Sequence, residues 1–415
     1  MFSLTAIAVN GIVGSGIFVL PAQVAQLLGA AGLSAYLAAG LAAGLIVLCF
    51  AEVGALFDRS GGPYLYSRAA FGDFVGFEIG WMMMLARLTA MAAISNAFAS
   101  YLGFFWPWAG SGAGRVIVIA GAIAVLTIVN LRGVRYGAWT INSLTVLKLA
   151  PLFVFVLAGL FFLDPHRPPA WSIPQPAALR QAGLLLIFAF GGFEHAVVPG
   201  EEVIRPRRNV PIALLMAIGF AAALYIMIQF VAQGTLPGLA SSSAPLATAS
   251  RRFLGPLGGM LLAVGAVFST AGTNSAIILS TPRVIFAMAE GGQLPRLFAR
   301  VHPRFRTPHV AMAATALLGC ACAMYSGFAL LAAISAIARL LTYMATSAAL
   351  PVLRRKMPDV QRWFMVPGGA TIPVAAIAIS IWLLTGSTKD QIAISGATLL
   401  AGAVVYACYR LIRRS

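Results

Sequence analysis

The stretch Asn10-Gly11-Ile12-Val13-Gly14-Ser15-Gly16-Ile17-Phe18 lies inside an apolar run close to the start of the chain. Half of the six residues from Gly11 to Gly16 are glycine, and each costs a helix interior roughly 1 kcal/mol relative to alanine. A second apolar run carries Phe188-Ala189-Phe190-Gly191-Gly192-Phe193-Glu194, followed by Pro199-Gly200. Glycine-interrupted spans at corresponding places in two halves of a chain point to an inverted-repeat transporter with its site at the breaks. Unwinding a helix frees N–H groups that face an anion and carbonyls that attract a cation, and the half-helix dipoles reinforce both. An α-amino acid zwitterion carries both charges close together. Glycine also serves close packing between membrane helices, which would explain Gly14-Ser15-Gly16 alone. The paired occurrence beside an acidic residue, Glu194, favours binding.

Outward from these stretches the composition is that of a membrane protein. Of 415 residues, 60% are hydrophobic and 9% charged, against roughly a quarter charged in soluble domains. Apolar segments of bilayer-spanning length, about 20 residues, recur at 3–27, 33–56, 75–104, 114–131, 139–163, 181–200, 211–233, 258–288, 309–326, 328–350, 370–386 and 392–409. Backbone polar groups in lipid must be satisfied internally, so these segments read as helices. The ten-residue alternation of a membrane β-barrel is absent from the sequence.

The formal net charge of +17 would suggest nucleic acid on a soluble protein. With the N-terminus inside, eighteen Lys and Arg fall in cytoplasmic stretches, six outside, and Arg87, Lys148, Arg283 and Arg339 within or at the edges of helices. That asymmetry is the positive-inside rule. It predicts an integral protein of the cell (inner) membrane with both termini cytoplasmic, and it removes the argument for nucleic acid. Cys49, Cys320, Cys322 and Cys408 all fall in apolar segments, without metal or redox spacing, and read as packing. Met1 stands almost at the membrane, so a short cytoplasmic segment either precedes it or does not exist.

Several motifs together resemble the amino acid–polyamine–organocation permeases. They are Gly14-Ser15-Gly16-Ile17-Phe18, then Ser60-Gly61-Gly62-Pro63-Tyr64-Leu65-Tyr66 running into Ala70-Phe71-Gly72 and Gly80-Trp81. Phe188 to Glu194, Glu201 to Pro211 and the stretch from Pro282-Arg283 to Pro295 complete the set. The resemblance covers about residues 1–365. It implies an all-α polytopic protein with a LeuT-like fold and twelve transmembrane helices. Two inverted five-helix repeats (1–163 and 181–350) contain broken helices 1 and 6, and two peripheral helices with a short cytoplasmic tail follow (370–415). By the same resemblance, the amides around Gly14, Ser15, Gly16 and Ile17 hold a substrate carboxylate. The Ile12 carbonyl and those of Phe188, Ala189 and Gly191 take the amino group. Phe188 serves as an aromatic gate, with packing as the alternative. Ile277 occupies a pocket position that is Trp in arginine-exchanging relatives. Losing that cation–π wall favours a neutral side chain.

The intramembrane charges are the remaining candidates. Lys148 must face protein rather than lipid. In sodium-independent relatives a fifth-helix lysine takes the place of the sodium site, so Lys148, near first-helix carbonyls and Ser269 or Thr270, either couples transport to H⁺ or stands as a fixed charge. Glu194 either relays protons or caps freed backbone donors. Arg87 and Arg339 are too deep to snorkel, so they pair or face water. They form structural ion pairs or, in the sharper reading, contact an acidic substrate, which makes Arg87 a possible pocket charge. Glu52 and Glu78 anchor loops or pair with arginines. His166, His195, His302 and His309 form no His-x-x-x-His pair, and no P-loop or dinucleotide motif is present. The expected function is therefore not enzymatic. It is a secondary amino acid permease without cofactor or metal, sodium-independent and proton-coupled, with the amino acid, H⁺ and the lipid bilayer as partners. An obligate exchanger, a polyamine carrier and a non-transporting amino acid sensor are the alternatives.

Overall fold

The computed structural model describes residues 2–57, 61–132, 134–164, 174–196 and 205–414. Among the described residues there is no β-strand, and fourteen α-helices follow one another. They are α1 (Phe2–Ile12), α2 (Gly16–Leu28), α3 (Gly32–Gly54), α4 (Pro63–Phe71), α5 (Asp73–Leu102), α6 (Gly112–Leu131) and α7 (Val134–Gly159). Then come α8 (Pro176–Phe190), α9 (Pro206–Thr235), α10 (Pro245–Glu290), α11 (His309–Tyr325), α12 (Phe328–Lys356), α13 (Thr371–Leu384) and α14 (Lys389–Arg414).

The first expected span is thus two helices. The Gly14 N–H turns back onto the Ile12 carbonyl at 2.8 Å, and α2 restarts at Gly16. The sixth is cut as well: α8 stops at Phe190, Gly191 is extended, Gly192 has φ +107°, and a single 3-10 turn covers Phe193–Ala196. Two features lie outside the expected spans. α4 is a short helix started by Pro63 at its first turn, where the missing N–H costs nothing, and stopped at Gly72 with φ +93°. α10 begins thirteen residues before the expected 258, bending at Gly255 (φ 70°) ahead of Pro256.

Seven described helical stretches are long and apolar enough to cross a membrane, counting Gly16–Gly54 as one, and four shorter apolar helices accompany them. On α6 and α14 large apolar side chains face outward, Ile117 at 64% and Leu400 at 71% exposure. In water such faces would be a liability; against lipid they are the solvated surface.

The helices pack in two groups. α3 lies on α8 and α9, α1 on α9, and α2 on α8, so both broken segments sit in one bundle. α5, α6, α10 and α11 all pack on one another as a scaffold. α7 lies chiefly along α10 and α12 along α5, which places one long helix from each half of the chain against the scaffold.

Candidate functional site

The two breaks touch each other through glycine. A Cβ on Gly192 would fall on the Gly11 carbonyl oxygen, and its φ of +107° is strained for any L side chain. A Cβ on Gly16 would stand 2.8 Å from the Ala189 Cα, closer than real Cβ atoms approach. No larger residue fits either place without moving a backbone.

Each half-helix end leaves polar groups without an intrahelical partner, and their destinations define the site. At the end of α1 the Val9 carbonyl takes the Val13 N–H at 2.8 Å. The Asn10 carbonyl accepts from the Lys148 ammonium at 2.8 Å, and Lys148 also donates to the Val13 carbonyl. Lys148 is fully buried and stands where the helix dipole favours a cation. The Ile12 carbonyl accepts from Gly14 N–H and from the Tyr225 hydroxyl, both at 2.8 Å. Tyr225 also lies 3.2 Å from the Ala189 carbonyl; with one proton to give, it favours Ile12. Both Ile12 lone pairs are then engaged, while the final carbonyls of α8 keep spare capacity. At the start of α2, the Phe18 and Val19 N–H groups turn back to the Ser15 carbonyl. Those of Gly16 and Ile17 have no intrahelical acceptor. Among the described residues, donors on α2 without an intrahelical acceptor and acceptors on α8 with spare capacity thus flank one cleft.

That cleft is lined by Gly11, Ile12, Gly14 to Gly16, Ala90, Ile94, Phe188, Gly191, Thr273, Ile277 and Arg339. Its free space is about 20 Å³, enough for roughly one water, so an amino acid enters only when the surrounding helices part. Phe188, which lines the cleft, meets Phe328 edge to face, ring centroids 5.6 Å apart. Ile277, Ala90 and Ile94 give the cleft an apolar wall.

Beside the cleft is a buried charge cluster. Glu194 pairs with Arg339, and its other oxygen accepts the Gly192 N–H at 2.8 Å and the Tyr343 hydroxyl at 3.0 Å. The carboxylate therefore ties the break after α8 to α12. Arg87, on α5, is 2% exposed and lies within electrostatic range of Glu194, Arg339 and Tyr343. Neither of its terminal nitrogens has a hydrogen-bond partner among the described residues.

Of the residues expected from sequence, the cleft gathers Ile12, Gly14, Ser15, Gly16, Phe188, Gly191 and Ile277. Ile17 and Ala189 lie directly behind them, fully or almost fully buried. Lys148 sits on first-helix carbonyls, but the Thr270 hydroxyl bonds back to Ala266 at 2.8 Å. The Ser269 hydroxyl is buried with no partner among the described residues. Glu52 pairs with Arg354 at 2.6 Å and accepts the Val366 N–H at 2.7 Å, so it anchors a loop. Glu78 pairs with no arginine among the described residues, and its carboxylate faces Gly402 of α14. The motif residues Ser60, Pro199-Gly200 and Glu201 to Ile204, together with Arg59, His166 and Arg167, lie outside the described residues, as does the side chain of His195. Sequence reading missed Tyr225, Tyr343, Thr273, Ala90 and Ile94. Each is an unremarkable residue in an apolar helix, and only the packing brings it to the breaks.

The amino acid permease family matches residues 1–398. Similar proteins include the methylthioribose transporter of Bacillus subtilis, 30% identical over 92% of this chain and 87% of its own length. The serine/threonine exchanger SteT of the same organism is 30% identical over 97% and 93%. Its branched-chain amino acid permease BcaP is 26% identical over 98% and 92%. These relatives are transporters and not enzymes, and with its long apolar helices and broken first and sixth spans the chain is an integral membrane transporter. The chain belongs to the amino acid permease family, within the amino acid–polyamine–organocation superfamily and its LeuT fold.

Proposed function

We propose that the protein is a secondary active transporter that carries an amino acid through the membrane by alternating access, sodium-independent and coupled to H⁺. Its twelve spans would form two inverted repeats and two peripheral helices, with both termini cytoplasmic as the basic-residue asymmetry suggests. The observation that carries the reading is the pairing of half-helix ends at one cleft. The free N–H groups at the start of α2 suit a carboxylate, and the free carbonyls at the end of α8 suit an ammonium. One small zwitterion satisfies both. The Ile12 carbonyl joins them only if Tyr225 or Gly14 releases it.

The apolar wall of Ile277, Ala90 and Ile94 suits a neutral side chain. The serine/threonine exchanger and the branched-chain permease carry such substrates by name, which agrees. The methylthioribose transporter names a substrate that is no amino acid, so the same compound belongs among those tested.

Lys148 supports proton coupling by position: deprotonation would remove the charge holding the Asn10 carbonyl of α1 and the Val13 carbonyl just past its end, and loosen the break. A second reading, an obligate exchanger, is favoured by that same geometry, because an ammonium donating to two carbonyls also serves as a fixed charge.

Uptake into proteoliposomes decides among these. The panel is labelled amino acids and methylthioribose, with and without an inward pH gradient and with internal substrate. Uptake of a neutral amino acid stimulated by the gradient is expected, and Lys148→Ala should lose the stimulation. Gradient-driven uptake that survives in Lys148→Ala places coupling elsewhere. Dependence on internal substrate alone establishes the exchanger, and no amino acid uptake at all sinks the reading.

A further inference from the structure

We propose that Arg87 and Arg339 form a site for a small anion beside the substrate cleft, filled by the side-chain carboxylate of an acidic amino acid or by free chloride. Among the described residues the charges do not close without it. Two guanidinium groups share one carboxylate, and Glu194 has its oxygens committed to Arg339, the Tyr343 hydroxyl and the Gly192 N–H. Among the described residues no other carboxylate serves: Glu52 is taken by Arg354, and Glu78 faces α14. Arg87 is left with both terminal nitrogens unpartnered among the described residues at 2% exposure. A buried unpaired cation costs several kcal/mol even after relaxation, and one in a membrane span marks function by default.

Placement gives this cation access to the cleft. Arg87, Ala90 and Ile94 follow one another at spacings of three and four, one face of α5, and the last two line the cleft. Arg339 lines it from α12. The Ser335 hydroxyl bonds the Ala86 carbonyl at 2.6 Å, which pins α12 to α5 one turn before Arg339 and beside Arg87. The Arg339 Nε donates to that same Ser335 hydroxyl at 3.4 Å, so both arginines stand close to this contact on neighbouring helices. An anion there would receive charge-assisted hydrogen bonds and bring the cluster to neutrality. With a neutral substrate the anion must be a free one; an acidic substrate would bring its own.

The inference rests on reading the cleft as the substrate site, and the test separates the two. Purified protein in a gluconate buffer is titrated with chloride, L-aspartate, L-glutamate and L-serine while its unfolding temperature is followed. A saturable rise of about 2–5 °C is expected from chloride or from the acidic amino acids. Arg87→Gln should abolish it, and Arg87→Lys should retain part of it. A rise with aspartate or glutamate but not chloride assigns a substrate carboxylate; a rise with chloride alone assigns the free ion. No rise from any of these anions in the wild-type protein overturns the site, as does an undiminished rise in Arg87→Gln. If Arg87→Gln does not fold, the wild-type titration still decides. Amino acid uptake that is identical in chloride and gluconate, with no anion effect on stability, sinks the anion site and leaves transport standing. An anion effect without uptake of any amino acid does the reverse.

Discussion

At the scale of single residues, Glu194 is the most heavily engaged polar group near the breaks. It takes the Gly192 N–H from the break itself, a hydroxyl from Tyr343 and the charge of Arg339. Removing one partner of a buried pair strands the other, at a cost of about 3–5 kcal/mol, whereas replacing both with apolar groups is often nearly neutral. Glu194→Gln should therefore lower stability by about that amount. Glu194→Leu combined with Arg339→Met should recover most of it, as read from denaturation of the detergent-solubilised protein. A double variant no more stable than the single would mean that Glu194 matters through the Gly192 N–H and not through the ion pair. The sequence marked Glu194 as a titratable group at a break and Arg339 as too deep to snorkel but could not join them, because they are 145 positions apart. Tyr225 and Tyr343 carried no signal at all: a lone tyrosine in an apolar helix reads as packing until its hydroxyl is seen on a backbone carbonyl or a carboxylate.

At the scale of elements, the interrupted helices were legible because glycine is costly where a helix continues and required where two backbones meet. Gly192 combines both requirements, a left-handed φ and a Cβ position occupied by the Gly11 oxygen. Strain of about 1–2 kcal/mol adds to overpacking of about 1–3 kcal/mol. Gly192→Ala should abolish uptake while the protein still inserts. Gly219 on α9 is the control, since a Cβ there meets nothing within 4 Å. Gly219→Ala should keep wild-type uptake and gain up to about 1 kcal/mol of helix propensity. Equal uptake by both variants would show that the breaks tolerate separation. Element ends were less legible. In the sequence reading this span begins at 258, just past Gly255-Pro256, yet α10 runs through that pair with a bend. The bend lets Pro256 keep its fixed φ while the chain on either side stays helical. α4 was hidden for the opposite reason: nine residues are too few and too polar to register as a span.

At the scale of the whole molecule, the proposed alternating access has the bundle of α1, α2, α3, α8 and α9 move against the scaffold. A cleft with room for about one water cannot otherwise admit a substrate. α7 is the informative boundary, since it lies along α10 of the scaffold but also meets α9 of the bundle. At Gly159 a Cβ would stand 3.5 Å from the Val231 Cβ, inside the range of about 3.5–4.5 Å that a disulfide spans. Neither residue lines the cleft, so Gly159→Cys with Val231→Cys should transport normally when reduced, in a background where Cys49, Cys320, Cys322 and Cys408 are replaced. Oxidation should then stop uptake, and a reductant should restore it, because the crosslink holds the bundle to the scaffold-bound helix. Disulfide formation is checked separately by the loss of thiol labelling. If the crosslinked protein takes up substrate at the reduced rate, α7 and α9 stay together throughout the cycle. The moving boundary then lies between α7 and α10, and α7 travels with the bundle.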